Sequence, residues 1–207
     1  MTDPAIATAA DYADAMYTAR RAKNLLVLLI FVCLLIQLGL FFVARYTDYI
    51  IPNSATTQPM PHWVDALQYL VGGSAFIGFI LAIVLCFVLL LIVKIMLVGR
   101  LIGVARTTSA YVSCLLLIVL LFPWQAFLSN ATFTDPNFKI PGVLYTWDEL
   151  VGFAKFHSEL SPIAALKWAR FVGWPVIAVI MVLGIQIKSN RGLRQAFGET
   201  DPEMSAA

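Results

Sequence analysis

The residues of this chain that could carry chemistry are four ionisable side chains that lie outside its apolar stretches. His62 with Asp65, and His157 with Glu159, could supply ligands to a metal ion, or His157 could act as a general base. Neither spacing matches a recognised ligand pattern, and zinc sites generally need three or four ligands. We therefore expect no catalytic residue, no metal site and no cofactor, with both histidines solvated at an interface.

The apolar stretches themselves contain few reactive groups. Gln37 is the one strongly polar side chain deep in the first stretch, and we expect its amide to hydrogen-bond a neighbouring helix rather than a substrate. Cys33, Cys86 and Cys114 all fall inside such stretches, where they are expected to pack as small hydrophobic side chains because no CxxC motif or Cys/His cluster is present. A haem held by two intramembrane histidines is excluded by the number and position of the histidines.

Four stretches, residues 25–44, 69–93, 107–128 and 171–187, contain no Asp, Glu, Lys, Arg or His. Each can cross a bilayer, the last by extending toward Trp168. In the first, the sixteen Leu, Ile, Val and Phe residues together favour insertion by roughly 5 to 10 kcal/mol. With 60% hydrophobic and only 13% charged residues, the chain is predicted to be an all-α integral membrane protein with four transmembrane helices.

The basic residues predict which side of the membrane each loop occupies. Nine of the fourteen Lys and Arg residues form three clusters that fall on one side if the chain crosses four times, namely Arg20, Arg21 and Lys23; Lys94, Arg100 and Arg106; Lys188, Arg191 and Arg194. Cytoplasmic flanks carry the excess of Lys and Arg, so both termini are expected in the cytoplasm, in a bacterial inner (plasma) membrane. Because each cluster abuts an apolar span, topology explains the basic residues and nucleic acid is not expected as a partner.

These boundaries divide the chain into one membrane domain with two tails. A partly helical cytoplasmic segment covers residues 1–24, the membrane domain covers 25–187 with spans at about 25–44, 69–93, 107–128 and 168–187, and the outer segments cover 45–68 and 129–167. Residues 188–207 form a cytoplasmic tail. The short connection from Gly99 to Arg106 predicts a tight antiparallel hairpin, with Thr107, Thr108 or Ser109 capping the third helix. No heptad array stands out.

The second outer segment carries the signature of an additional helix. Thr146 and Glu149 have the spacing of a capping box, and Trp147, Leu150, Val151 and Ala154 follow as an apolar stripe with helical spacing. We expect an amphipathic interfacial helix between transmembrane helices 3 and 4. The fourth span then follows, with a kink expected at Pro175.

Small residues at four-residue spacing predict close helix packing. The positions are Ser74, Gly78 and Ala82 in the second span, Ala165, Ala169 and Gly173 at the start of the fourth, and Gly99 with Gly103 near the inner surface. Such spacing lets helix backbones approach in lipid, either within the chain or against another subunit. All five tryptophans, Trp63, Trp124, Trp147, Trp168 and Trp174, map to the outer half, which suits an aromatic belt or a docking surface for a partner.

Three functional hypotheses follow from these residues. The leading one is a non-catalytic, multi-pass subunit or scaffold that packs with other membrane-protein subunits, or with copies of itself, in a larger assembly in the lipid bilayer. The first alternative is a small transporter or channel formed by oligomerisation and lined by Gln37, Ser74 and Ser113. The second is an enzyme at the outer interface, with His62, Asp65, His157 and Glu159 as its candidate catalytic residues.

Overall fold

The chain folds into an antiparallel bundle of long helices in the computed structural model, which describes residues 9–46, 62–124, 143–145, 147–153 and 162–198. The helices are α1 (Ala9–Tyr46), α2 (His62–Val98), α3 (Val104–Leu121), α4 (Trp147–Phe153), α5 (Pro162–Trp168) and α6 (Trp174–Ala196), with a π-helical turn (Ala169–Gly173) joining α5 to α6. Four segments are long and apolar enough to cross a membrane: one each in α1, α2 and α3, and a fourth running from α5 through α6. The predicted fold, a multi-pass helical membrane protein, is confirmed.

The four spans form a ring in which each helix packs against two neighbours. α1 packs against α2, α2 against α3, α3 against α6, and α6 returns to α1. Because successive spans run in opposite directions, Tyr46, His62 and Leu121 meet at one end of the bundle. We call this end the aromatic end, and the opposite end, which carries Arg20 and Arg194, the basic end.

The interior positions of α1 follow one regular stripe along its length. The buried residues Met16, Ala19, Lys23, Leu26, Ile30, Leu34, Gln37, Phe41 and Ala44 succeed one another at intervals of three and four. This is the spacing of helices that pack at small crossing angles. The outward-facing residues of α1 are also apolar because they face lipid, so the stripe does not stand out by composition.

Two helices are much longer than the hydrocarbon core requires. At 1.5 Å per residue, α1 is about 57 Å long and α2 about 55 Å, against a core of about 30 Å. From Ala9 onward the N-terminal segment is helical and continues without a break into the first span. Alanine-rich sequence propagates a helix readily, so the change from charged to apolar residues near position 24 does not interrupt the backbone.

The third helix begins and ends earlier than predicted. Its N-cap is Gly103 at φ 93°. The predicted caps Thr107, Thr108 and Ser109 therefore all lie within the helix. The helix ends at Leu121 because Pro123 disfavours the helical conformation at the residue before it, and Phe122 accordingly adopts ψ 135°. Residues 125–128 of the predicted span lie outside the described residues.

The additional helix between spans three and four is present as α4. It packs against α1 and α2 at the aromatic end, and Leu150 is buried while Trp147 and Val151 are partly buried. Ala154, the last residue of the predicted apolar stripe, lies outside the described residues. The departure from regular helix in the fourth span precedes Pro175 and takes the form of the π-helical turn, in which the Trp174 N–H donates to the Ala169 carbonyl.

Candidate functional site

The aromatic end contains a compact hydrophobic cluster that joins α1, α2, α4 and the π-helical turn. Its buried members are Leu40, Phe41, Ala44, Val71, Tyr145, Leu150 and Phe171. The rings of Phe41 and Phe171 stack at 4.9 Å and 5° between planes. Tyr145 meets Phe171 edge-on, with ring centroids 5.4 Å apart. This stacking fixes the segment before α4 against the first and last spans.

An ion pair is buried beside this cluster. Arg170, in the π-helical turn, is 8% exposed and Glu149, in α4, is 5% exposed. The Arg170 Nε donates to Glu149 Oε1 at 2.8 Å and Nη2 donates to Oε2 at 3.0 Å, so the pair is bidentate. Nη2 also donates to the Leu144 carbonyl at 3.0 Å. The same guanidinium therefore binds the segment that precedes α4.

This pair gives Glu149 a tertiary role that the capping-box hypothesis did not include. Both carboxylate oxygens accept hydrogen bonds from Arg170 in the last span. Thr146, the other half of that hypothesis, lies outside the described residues. A glutamate at the third helical position suits either role.

Tyr145 connects the same region to the middle of the first span. Its phenol donates a hydrogen bond to the backbone carbonyl of Gln37. Burial raises the pKa of the Tyr145 phenol well above its usual range, so this side chain remains a neutral donor.

Gln37 holds α1 to α2, as the sequence led us to expect of an intramembrane amide. Its Nε2 donates to the Ser74 hydroxyl at 2.7 Å and to the Val71 carbonyl at 2.9 Å. The side chain is fully buried, and Ser74 in turn donates to the Val71 carbonyl at 3.1 Å. Ser113, which was grouped with them as a pore-lining residue, lies on α3 and accepts a bond from Lys188 at 3.2 Å. The described part of the chain thus places the polar residues of the transporter hypothesis in two separate contacts.

The small residues divide between the inside and the outside of the bundle. In α2, Ser74, Gly78 and Ala82 are buried, and a Cβ at Gly78 would lie 3.4 Å from the Cβ of Cys33 on α1. In the fourth span, Ala165 and Ala169 are exposed. A Cβ at Gly173 would meet, within 4 Å, only atoms of the same helix, at Ala169 and Trp168.

The two glycines of the α2–α3 connection have different surroundings. The atoms nearest to a Cβ at Gly99 would belong to Ile95 and Leu101, which are close to it in the sequence. A Cβ at Gly103 would collide with the carbonyl oxygen of Gly192, and a Cβ at Gly192 would collide with the Thr107 hydroxyl. The close helix contact at this end is therefore between Gly103 and Gly192, and the latter was not among the predicted packing residues.

The tryptophans lie at the aromatic end with different degrees of exposure. Trp63 is 43% exposed, whereas Trp124, Trp147, Trp168 and Trp174 are partly buried within this chain. Trp124 donates to the Val119 carbonyl at 2.7 Å, and the guanidinium of Arg45 lies 4.9 Å from the ring of Trp168. Part of the aromatic surface thus contributes to packing within the bundle.

The residues of the enzyme hypothesis are not brought together by the described part of the chain. His157, Glu159 and the side chain of His62 lie outside the described residues, and Asp65 is exposed at the start of α2. Among the residues searched, no group of three or more His, Cys, Asp or Glu side chains could hold a metal ion. Cys114 donates a weak hydrogen bond to the Ala82 carbonyl at 3.8 Å, which is a packing contact.

The basic end contains polar contacts between the first and last spans that sequence reasoning missed. Lys23 is 0% exposed, and its ammonium donates to Asn190 Oδ1 at 2.5 Å. One turn nearer the middle of the bundle, Gln186 donates to Asn24 at 2.9 Å. We call these four residues the polar seam. The sequence signal for the burial of Lys23 is its position on the interior stripe of α1. We overlooked this signal because Lys23 also belongs to a cluster of basic residues.

Comparison of the chain with protein-family models, with curated proteins and with solved structures finds no match. The class to which the chain belongs is accordingly defined by its helices alone. It is a multi-pass, four-span helical membrane protein.

Proposed function

We propose that this chain is a non-catalytic subunit or scaffold that packs with other helices in a larger membrane assembly. The observation that supports it most directly is that polar side chains at membrane depth bond to one another between helices. Gln37 is bonded to Ser74 across two helices, and Arg170 is neutralised by Glu149. Groups held in this way stabilise a fixed arrangement of helices.

The surface of the fourth span supports the same proposal. Ala165, Ala169 and Gly173 recur at four-residue spacing, and the two alanines face away from the bundle. Their larger neighbours Leu166 and Val176 are 70% and 40% exposed. Small side chains between larger ones form a shallow groove into which a second transmembrane helix can pack closely, and that close approach is the main source of helix association in lipid.

The proposal is tested by measuring the mass of the protein after gentle solubilisation. The wild-type complex should exceed the 22.8 kDa of one chain by at least one further subunit, whether another protein or a second copy. Ala169→Leu fills the groove and should reduce the complex to a single chain. Ala66→Leu adds the same volume at an exposed position on α2 and should leave it intact. A wild-type monomer with no co-purifying partner would refute the proposal.

The alternative function is transport, and a flux measurement distinguishes a transporter from a scaffold. Proteoliposomes that contain the purified chain should pass neither ions nor small neutral solutes if the chain is a scaffold. A solute flux that Gln37→Leu abolishes would favour the transporter instead, because this substitution removes the only amide deep in the first span.

A further inference from the structure

The connection between α2 and α3 exposes three large apolar side chains at the basic end. Leu97, Val98 and Ile102 are 59%, 70% and 76% exposed, and we call these three residues the apolar tip. They follow Lys94, the first charged residue after the uncharged second span. A short connection beyond a charged residue ordinarily faces water, where exposed apolar side chains of this size are unfavourable. A partner that covers the apolar tip would remove this cost.

The apolar tip continues the outer face of α2. Phe87, Leu91 and Val98 lie within about 40° of one another around the helix axis, because they are separated by four and seven positions. Phe87 and Leu91 are exposed within the uncharged span, where they face lipid. Lys94 is exposed on the same side, and its long stem lets the ammonium reach the headgroups while the methylene groups pack on apolar surface. The lipid-facing surface of α2 therefore extends past Lys94 to Val98.

Helix lengths place the apolar tip at the edge of the bilayer. Val98 lies 29 positions after Tyr69, which is about 44 Å along α2 and matches a bilayer of about 40 to 45 Å including both headgroup regions. Tyr69 is exposed at the aromatic end, and tyrosines of this kind lie at headgroup level. Val98 then lies at headgroup level in the opposite leaflet.

The third helix gives the same position for Ile102. The 18 residues of α3, from Val104 to Leu121, extend about 27 Å, whereas the hydrocarbon core is about 30 Å thick. The whole of α3 is therefore needed to cross the core. Ile102 lies two positions before the first residue of α3, at the boundary between acyl chains and headgroups.

The backbone of the connection is hydrogen-bonded in a way that suits this depth. The Arg100 N–H donates to the Leu97 carbonyl at 3.2 Å, and the Leu101 N–H donates to the Met96 carbonyl at 2.9 Å. These two bonds form the Schellman motif of a helix C-terminus. Leu101 packs with Met96 inside the bundle, whereas Ile102 is left outside. Unbonded backbone groups are costly where water is scarce, so a turn that bonds them internally can lie in the membrane interface.

Arg100 has a backbone conformation that usually belongs to glycine. Its φ is 50°, and among the described residues it is the only non-glycine residue with a positive φ. Glycine is common at this position of the motif because a side chain is strained there. The Arg100 side chain is exposed, and a guanidinium forms charge-assisted, bidentate hydrogen bonds to phosphate oxygens. A contact with a lipid headgroup would give this strained residue a role that glycine could not fill.

We propose that the apolar tip inserts among the acyl chains of the leaflet at the basic end, with Lys94 and Arg100 bound to the phosphates of the surrounding lipids. Insertion removes the three apolar side chains from water, and the two cations hold the connection at headgroup level. Continuity with the lipid-facing side of α2 and the position at the edge of the bilayer favour lipid over a protein subunit as the partner. This inference does not depend on the proposed function.

The test is the depth of nitroxide spin labels in the purified full-length protein, reconstituted in vesicles of phosphatidylcholine and phosphatidylglycerol. The background has alanine at Cys33, Cys86 and Cys114, and the labels are attached to Val98→Cys and Ile102→Cys. Oxygen concentrates in hydrocarbon, whereas a nickel chelate stays in water. Oxygen should therefore relax both labels more strongly than the nickel chelate does.

Two reference positions calibrate this measurement. Phe87→Cys places the label on the lipid-facing side of the second span, and Thr18→Cys places it at an exposed position of α1 beyond the basic residues. The labels at the apolar tip should resemble the one at Phe87→Cys. Stronger relaxation by the nickel chelate, as expected at Thr18→Cys, would put the tip in water and overturn the proposal. Weak relaxation by both reagents would show a covering protein and overturn the assignment to lipid.

A pair of substitutions tests the same inference without a label. Ile102→Gln keeps a side chain of similar size but places an amide among the acyl chains, so it should lower the midpoint temperature of thermal unfolding in these vesicles. Thr18→Gln alters an exposed position at the same end. It should change the midpoint by no more than about 2 °C. Equal midpoints in the two variants would overturn the proposal, because the side chain of residue 102 would then be solvated.

Discussion

Arg170 and Glu149 are charged residues whose removal from water is costly. Moving either charge alone into a low-dielectric environment costs several kcal/mol, and the bidentate geometry and the bond to the Leu144 carbonyl help to offset it. Breaking such a pair on one side is therefore more harmful than replacing both partners with apolar residues of similar size.

Glu149→Gln should lower the free energy of unfolding by about 3 to 5 kcal/mol, because Arg170 keeps its charge without a carboxylate. Reversible unfolding in mixed micelles measures the change. Asp65→Asn removes an exposed carboxylate at the same end and should change stability by less than about 0.5 kcal/mol. If Glu149→Leu combined with Arg170→Leu were no more stable than Glu149→Gln, the buried charge would not be the cause.

Tyr145 predicts how stability depends on alkaline pH. The pKa of its phenol is raised in the folded state by burial, so the folded chain holds this proton more tightly than the unfolded chain. Its contribution is complete below the ordinary tyrosine pKa of about 10 and is lost as the pH rises above it, at up to about 1.4 kcal/mol per pH unit. Tyr145→Phe should be less stable than wild type at pH 8, and the difference should shrink at pH 11. A constant difference would contradict this linkage.

At the scale of helices, the start of α3 and the end of α6 approach too closely for side chains. The cause is a left-handed turn at Gly103 (φ 93°), which brings its backbone against Gly192 and Gln195 of α6. The sequence predicts this contact only in part. The spacing of Gly99 and Gly103 indicates close packing, but nothing local identifies a partner almost ninety residues later.

Two glycines of α6 provide a matched pair of substitutions. Gly192→Ala should destabilise the protein by about 1 to 3 kcal/mol, because the new methyl group meets Thr107. Gly184→Ala should be neutral or stabilising by up to about 1 kcal/mol, since a Cβ there meets no atom within 4 Å. Unfolding of the two variants under the same conditions measures the contrast. Equal effects would mean that the contact relaxes without strain.

The positions of the helices could be predicted from composition, whereas the pairing and burial of polar side chains depend on tertiary contacts and could not. Uninterrupted apolar stretches identify the four spans, and Trp147 with Leu150 identifies α4. The sequence misses the pairing of Glu149 with Arg170 because the two residues are held together only after the last span packs against α4. It misses the burial of Lys23 because, next to a span, a lysine usually marks a membrane boundary.

At the scale of the whole molecule, four crossings place the two ends of the chain on the same side. In a background with Cys33, Cys86 and Cys114 replaced by alanine, Ser205→Cys should react with an impermeant maleimide only after the cells are opened. Ser54→Cys should react in intact cells. These outcomes follow from the excess of Lys and Arg beside the termini and the α2–α3 connection. Labelling of Ser205→Cys in intact cells would reverse the predicted orientation.

The bond between Lys23 and Asn190 also has a consequence for biosynthesis. The two residues are separated by 167 positions, which a ribosome covers in on the order of 10 to 30 s. During that interval the first span is already in the bilayer while the helix that completes its polar contacts has not been made. A nascent chain that stops before Trp174 would leave Lys23 without Asn190. The bundle can reach its final packing only after the last helix has left the ribosome.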